Sequence, residues 1–241
     1  MRYNNRSDLA MREVSFEVNY TKYSQGSCLI KVGDTWVLCT ASIEDKVPPF
    51  LRNTGKGWIN AEYSMLPGST QDRVTREIVK GKQNGRTLEI QRLISRSLRA
   101  AVNLELLGER MINIDCDVLQ ADGGTRTAAI NGGYVALQIA LRSLNNAGMI
   151  HKLPFIRHLA AVSCGIVKGK ILVDLDYSED SNADVDANFV CTSEGKFVEV
   201  QFTGEKDTID QDTMMIMLES AKNSCLDIIT KQKAAIIMAI G

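Results

Sequence analysis

The chain has 241 residues, of which 44% are apolar and 24% charged, and its net charge is −1 with a pI near 6.2. This length suits one compact domain over residues 1–241, and the composition is that of an ordinary globular protein, which argues against extended disorder. No apolar run approaches the roughly 18 residues of a membrane span and the first residues do not suit a signal peptide, so we expect a cytoplasmic protein.

The first elements in chain order are strands. Alternating apolar residues predict a hairpin of strands 27–32 and 36–43, followed by a short strand at 58–63. Residues 67–85 contain glycines and basic residues but no periodicity, which predicts an exposed loop.

Helical spacing begins at Thr87, where apolar residues follow one face of a predicted helix and arginines follow another. Residues 112–118 alternate strictly and predict a strand. A glycine turn then leads into a second predicted helix over residues 128–144.

The second half of the chain returns to strand patterns. Residues 161–167 pair with 171–175 and residues 186–192 pair with 197–202, which predicts a four-strand meander. From Asp210 an apolar stripe predicts a long closing helix. Hairpins outnumber crossovers, so we expect an α+β protein of mixed β-sheets packed with α-helices.

Charge is unevenly distributed along the chain. Eight basic residues and two acids lie between Arg73 and Arg99, whereas six acids and no basic residue lie between Asp174 and Asp186. The first segment suits phosphate groups and the second suits a divalent cation. Charge counting alone gives equal support to two solvated faces of a neutral protein.

The turn Gly123-Gly124-Thr125-Arg126 precedes a predicted helix. Glycine amides, the positive end of a helix and an arginine together favour a bound phosphate. Arg86 is a candidate for closing the same site. A plain helix cap, with Arg126 paired to Asp122 or another surface acid, explains the local pattern equally well.

Asp180 and Asp186, with Asp184 between them, form the second candidate site. An extended segment places Asp184 and Asp186 on one face, and a preceding turn can return Asp180 toward them to make an oxygen-rich magnesium pocket. A solvated acidic turn is the alternative.

Other catalytic signatures are absent from the sequence. It contains no GxxxxGK[ST], GxGxxG or HExxH motif and no nucleophile elbow, and its only histidines are His151 and His158. The six cysteines are more than ten residues apart, which excludes a CxxC pair and a zinc knuckle and predicts free thiols.

Four long motifs in order make the sequence resemble the ribonuclease PH family over essentially its whole length. They are YSMLP at 63–67, GRTLEIQRLISRSLR at 85–99, QADGGTR at 120–126, and DLDYSEDS at 174–181 followed by DVDAN at 184–188. The resemblance implies the ribonuclease PH fold and magnesium-dependent phosphorolysis of RNA 3′ ends. It also implies a homohexamer built from dimers.

The resemblance also implies roles for particular residues. The phosphate-binding positions of the family match Arg86, Gly124, Thr125 and Arg126. Its essential acidic pair matches Asp180 and Asp186, which we expect to act in catalysis and to bind Mg²⁺, although sequence does not say which aspartate binds metal and which acts as an acid.

RNA contacts are expected from the basic segment. The loop with which the family grips transfer RNA matches Arg73 and Arg76, and the arginine face of the first predicted helix adds further candidates. The helix candidates are Arg92, Arg96 and Arg99.

The sequence departs from the family near its N-terminus and near the basic loop. Gly68 replaces an arginine that relatives usually show after Leu-Pro, and Ser7 replaces the proline of an Arg-Pro-Asp-Gly opening. The Gly68 change is expected to weaken RNA affinity. Neither position belongs to the proposed reaction centre.

The resulting prediction is removal of nucleotides downstream of the CCA end of transfer RNA precursors, with inorganic phosphate as co-substrate and nucleoside diphosphates as products. The reverse reaction would add nucleotides to RNA 3′ ends. Two alternatives remain open, a hydrolytic metal-dependent exonuclease and a non-catalytic RNA-binding ring subunit.

Overall fold

The computed structural model describes residues 2 and 5–240, except for the side chains of Lys80 and Ile240. Nine strands and five α-helices are found in this part of the chain. In chain order they are β1 Val14–Val18, β2 Gly26–Val32, β3 Thr35–Glu44, β4 Trp58–Met65, α1 Gly85–Arg99, α2 Leu104–Leu107, β5 Met111–Gln120, α3 Thr125–Asn146, β6 Leu159–Val167, β7 Lys170–Val173, α4 Tyr177–Asp180, β8 Val185–Thr192, β9 Phe197–Gly204 and α5 Gln211–Ile240.

The first sheet has five strands in the order β1-β2-β3-β5-β4. The predicted hairpin is confirmed as β2 and β3, which pair antiparallel with Val32 opposite Thr35. β4 and β5 run parallel, because α1 lies between them in the chain and provides the crossover. Strand β1 was not predicted from the sequence.

The second sheet corrects the predicted meander. Its strand order is β7-β6-β8-β9, so β6 pairs with both β7 and β8, and β7 lies at the edge. The chain leaves β7, forms the short helix α4, and re-enters the sheet on the other side of β6. This connection is what carries Asp180 to the end of the sheet where β8 begins.

Helix α3 lies between the two sheets and is buried over most of its length. It contacts β2 and β3 on one side and β6 on the other. A Cβ at Gly132 would lie 2.7 Å from Ile30 Cγ2, so the close approach of α3 to the first sheet requires glycine at this position. Helix α5 packs Met217, Ala221 and Cys225 against the second sheet. The mixed α+β architecture is therefore as predicted.

The six cysteines are free and buried. Within residues 2 and 5–240, no helix combines the length and the hydropathy that crossing a membrane would need.

Candidate active site

A glycine turn at the start of α3 forms one wall of a cavity of about 170 Å³. Gly123 and Gly124 have φ angles of 74° and 65°, which glycine adopts without strain. A Cβ at Gly123 would also collide with the carbonyl oxygen of Leu175. Gly124 is the N-cap of α3, and no described side chain caps the first amides of the helix. Those amides are available to an anion, which the helix dipole also favours.

The first residue of α3, Thr125, contributes a hydroxyl to the same cavity. The buried Tyr63 hydroxyl donates a hydrogen bond to Thr125 Oγ1 at 2.8 Å. Because that oxygen accepts from the tyrosine, its own hydrogen is free to donate toward the cavity. Burial raises the pKa of Tyr63, which keeps the phenol protonated at neutral pH. The supporting role of Tyr63 was not predicted, although the residue lies in a family motif.

Arg86 and Arg126 also line this cavity. Neither forms an ion pair with any residue that the structure describes. The alternative in which Arg126 pairs with Asp122 is wrong. Asp122 instead accepts a hydrogen bond from the Tyr177 amide at 3.2 Å and lies 3.5 Å from Nη1 of Arg12.

Asp180 at the end of α4 and Asp186 at the start of β8 line the same cavity. Burial raises the pKa of Asp180, and burial together with the negative charge of Asp180 raises the pKa of Asp186. In both cases the positive charges of Arg126 and Arg86 act in the opposite direction. The structure therefore places two carboxylates, whose ionised forms are disfavoured, across from two arginines without carboxylate partners.

Asp184 was expected to share a face with Asp186 and to join the pocket. It does not line the cavity. Its carbonyl oxygen accepts hydrogen bonds from the amides of Glu205 and Lys206 at 3.0 and 3.1 Å, which holds this residue at the turn preceding β8.

The remaining acids of the segment 174–186 face the N-terminal arginines. Asp174 Oδ1 lies 2.7 Å from Arg12 Nη2, and Asp174 Oδ2 lies 3.1 Å from Arg6 Nη1. Glu179 Oε1 accepts from Arg2 Nε at 2.7 Å. All five side chains are 10% exposed or less, so these are buried ion pairs.

Arg12 links this network to the anion-binding turn. Besides pairing with Asp174, its guanidinium donates hydrogen bonds to the carbonyl oxygens of Asp122, Gly123 and Leu175. The sequence did not reveal this contact. The only signal was the presence of three arginines within the first twelve residues, and these partners of Arg12 lie 110 residues or more away in the chain.

The predicted RNA-binding arginines do not line the cavity. Arg73 and Arg76 are exposed in the loop before α1, and Arg92 is exposed on α1. Arg96 pairs with Glu199 at 2.9 Å, and the Arg99 guanidinium lies 4.2 Å from the centre of the Trp58 ring. The last two thus have contacts within the protein. The side chain of Lys80, a basic residue of the same loop, lies outside the described residues.

A wider cleft of about 750 Å³ adjoins the cavity, and Arg86 and Met65 line both. Its lining includes Arg76 of the loop before α1 and Asp117 of β5. Burial and then the charge of Asp115 raise the pKa of Asp117, and Arg76 acts in the opposite direction. The wider cleft therefore connects the basic loop with the cavity through shared residues.

The two histidines have no part in the cavity. His158 Nδ1 lies 2.9 Å from the hydroxyl of Tyr134, and burial lowers the pKa of His158. This is a structural contact between a half-buried histidine and the buried Tyr134 of α3.

Anion-binding amides and arginines facing a pair of carboxylates are typical of enzymes that act on phosphate esters. Comparison with known proteins makes the class specific. Models of the 3′ exoribonuclease family match the chain over residues 10–142 for domain 1 and residues 159–224 for domain 2. The chain belongs to this 3′ exoribonuclease family.

The chain is similar to proteins named ribonuclease PH from two strains of Cereibacter sphaeroides. The identities are 54% and 53% over 236 residues, which cover 98% of this chain and all of each relative.

Solved structures share the fold at lower identity. Rice (Oryza sativa) Rrp46 superposes with a TM-score of 0.79 at 18% identity, covering 98% of this chain and 100% of that one. A chain of the Archaeoglobus fulgidus exosome with RNA bound to the active site superposes with a TM-score of 0.79 at 23% identity, covering 95% of this chain and 92% of that one.

Proposed function

We propose that this chain is a phosphate-dependent 3′-to-5′ exoribonuclease that trims transfer RNA precursors downstream of the CCA end. The observation that carries the proposal is the single cavity that contains the Gly124-Thr125-Arg126 turn, Arg86 and both aspartates. In the reaction, an oxygen of orthophosphate attacks the last phosphodiester and the bond to the 3′ oxygen breaks. The products are a nucleoside diphosphate and an RNA shorter by one nucleotide, and the reverse reaction extends RNA.

The anion-binding wall solves the first problem of this reaction, which is that both reacting phosphates are negatively charged. Arg86, Arg126 and the first amides of α3 hold orthophosphate, and the Thr125 hydroxyl donates to it. Since neither arginine has a carboxylate partner among the described residues, their charge is available to the anion. Preorganised donors of this kind each contribute about 2.7–4 kcal/mol to transition-state stabilisation in other enzymes.

Asp180 and Asp186 fit a bound Mg²⁺. This ion is commonly held by one or two carboxylates together with substrate phosphates and water, so two aspartates suffice. Burial disfavours the negative charge of both groups, and each lies close enough to the other to be repelled, as the raised pKa of Asp186 indicates. When bound, Mg²⁺ would neutralise the negative charge on the reacting phosphate oxygens. A carboxyl with a raised pKa also suits protonation of the departing 3′ oxygen.

RNA binding is assigned to the exposed arginines outside the cavity. Arg73 and Arg76 belong to the loop that borders the wider cleft, which suits a grip on the transfer RNA stem. Arg92 is exposed on α1 and is a second candidate. Arg96 and Arg99 are weaker candidates, because Glu199 and Trp58 already hold their guanidinium groups.

Assembly into a homohexamer, as a trimer of dimers, and a cytoplasmic location complete the proposal. Support for assembly comes from fold neighbours named as parts of exosomes, such as one from an archaeal exosome core with a TM-score of 0.76 at 21% identity. Sedimentation of the purified protein tests the hexamer, since a monomer has a mass of only 26.6 kDa.

The deciding experiment incubates the protein with transfer RNA that carries a short 3′ extension, with and without phosphate and Mg²⁺. We expect shortening only when both are present and nucleoside diphosphates as the products. Equal shortening without added phosphate, with nucleoside monophosphates released, would instead establish the hydrolytic alternative.

The non-catalytic ring subunit is the second alternative. Such a protein binds RNA but releases no nucleotide under any condition in this assay. A chain of that kind is expected to have lost Arg126 or the acidic pair, and all three residues are present and share one cavity.

A further inference from the structure

The centre of β6 carries a serine whose environment is unusual. Ser163 is 4% exposed, and its Oγ has no hydrogen-bond partner among the residues that the structure describes. Leaving a buried hydroxyl without a partner costs about 1–3 kcal/mol. Most buried polar groups in proteins are satisfied, so an exception of this kind needs an explanation, and a bound water or anion is one.

The position of Ser163 follows from the alternation of β6. Val162 and Cys164 point into the apolar cluster formed with α5. Ser163 lies on the opposite face, together with Ala161, whose amide and carbonyl bond to Asn131 of α3. This face of β6 packs against α3, and Ser163 lies beside the N-terminal end of the helix.

Ser163 lines the reaction cavity next to the anion-binding turn. A Cβ built on Gly124 would lie 3.7 Å from Ser163 Oγ, so the hydroxyl and the turn border the same small volume. Asn188, which is opposite Ser163 in the register of β6 and β8, also lines the cavity. The hydroxyl is therefore a buried donor that faces the site where the anion is held.

We propose that Ser163 Oγ donates a hydrogen bond to the orthophosphate that the Gly124-Thr125-Arg126 turn holds. This inference rests on the proposed function, because it names a further contact to its co-substrate. The hydroxyl is one donor more than the family resemblance assigned to this site. A hydrogen bond to an ionised group is shorter and stronger than one between neutral groups.

The test compares Ser163→Ala with Ser69→Ala. Ser69 is a matched control, since its hydroxyl is also buried without a described partner but does not line the cavity. Loss of a charge-assisted hydrogen bond predicts that Ser163→Ala raises the KM for phosphate about tenfold or more. The KM for RNA should be unchanged by this substitution, and the thermal unfolding temperature without phosphate should not fall, since alanine removes a buried hydroxyl that has no described partner. Ser69→Ala should leave both KM values as they are.

A second measurement tests phosphate binding directly, without the reaction. Phosphate raises the unfolding temperature of a protein that binds it in the folded state, and we expect this shift to be smaller in Ser163→Ala at equal phosphate. Should the alanine variant fail to fold, Ser163→Cys serves instead, because a thiol fills similar space and donates weakly.

Three outcomes overturn the inference: an unchanged KM for phosphate, a rise confined to the KM for RNA, or an equal effect of Ser69→Ala. Arg126→Ala in the same assay identifies which proposal has failed. If Arg126→Ala impairs phosphate use and Ser163→Ala does not, only the serine contact is wrong. If neither variant changes the dependence on phosphate, the assignment of the phosphate site is wrong, whereas shortening of RNA by the parent protein without phosphate would overturn the proposed function itself.

Discussion

The segment 174–186 contains two groups of carboxylates that differ in their partners. Asp174, Asp176 and Glu179 lie within 4 Å of arginines from residues 2–12 and are buried with them. Asp180 and Asp186 face a cavity and form no ion pair with any residue in the described part of the chain. Carboxylate side chains a few residues apart thus stabilise the fold in one group and, by our proposal, bind ligand in the other.

The difference lies in whether opposite charge is supplied by the protein. The first group is neutralised by arginines of the same chain. In the second, burial raises the pKa of both carboxyls, and the nearest positive charges, Arg86 and Arg126, are directed to an anion by our proposal. The sequence suggested one cation site in this acidic segment. The structure instead divides its carboxylates between a buried ion-pair network and the cavity. The comparison predicts that substitutions in the first group act on stability and those in the second act on turnover.

The largest effect is expected from Asp174→Asn, which removes the charge that Arg6 and Arg12 share. Breaking a buried ion pair on one side costs about 3–5 kcal/mol, and asparagine keeps the shape and tolerates the positive φ of 56° at this position. Urea denaturation measures the free energy of unfolding. The control is Asp8→Asn, which breaks an exposed pair with Lys170 and should cost about 1 kcal/mol or less. Equal losses in the two variants would remove the distinction between the groups.

Arg126→Ala should act on turnover with little effect on folding. Loss of one preorganised donor lowers phosphorolysis by about 10² to 10³. Steady-state rates on transfer RNA with a 3′ extension measure the change, and circular dichroism confirms the fold. Arg52, which is exposed and does not line the cavity, provides an alanine control that should keep its activity. Near-normal turnover of Arg126→Ala would exclude this arginine from the reaction.

Asp186→Asn tests how much stability the folded protein loses by holding the carboxylates of Asp180 and Asp186 close together without a bound cation. A carboxyl whose folded pKa is raised binds its proton more tightly in the folded state than in the unfolded state, so its contribution to stability is lost as pH rises through the folded pKa. At pH 7 without divalent cations, Asp186→Asn should therefore unfold at a higher temperature than the parent while its activity is lost. Below about pH 4, the ordinary range of aspartate, the difference should vanish.

Asp184→Asn is the matched control for this measurement, since it makes the same charge change two residues away and outside the cavity. An equal gain in stability from both substitutions would mean that net charge, rather than the cavity, is responsible. A loss of stability in Asp186→Asn would contradict the assignment of Asp186 to an unpaired site.

Local patterns predicted the elements and the motif residues well. The alternation of residues 112–118 and the helical spacing after Thr87 depend on neighbours in the chain, and both elements are present. The residues matched to phosphate binding and to the acidic pair lie in one cavity because they lie at the ends of α1, α3, α4 and β8. Their proposed roles stay predictions until they are measured.

What the sequence missed depends on contacts between distant residues. A short loop between two strands favours pairing of neighbours, which suggested a meander, but α4 carries the chain past β6 and places β8 on its other side. Arg12 and Asp174 are separated by 162 residues, and nothing near either residue in the sequence indicates the other. Ser163 resembles any other strand residue in the sequence, because only the structure shows that its face of β6 borders the cavity.

The smallest expected effect concerns Gly68, which stands where relatives usually show arginine. Gly68 is exposed, and a Cβ there would meet no atom within 4 Å, so an arginine fits without rearrangement. In Gly68→Arg, one new contact to an RNA phosphate should tighten binding of transfer RNA less than tenfold. It should also steepen the dependence of log Kd on log salt concentration by about 0.7–0.9. Filter binding at several salt concentrations measures both quantities, and Gly68→Ala controls for the loss of backbone freedom. An unchanged salt dependence would mean that this position does not contact the bound RNA, and RNA binding by the loop would then depend on its other basic residues, including Arg73 and Arg76.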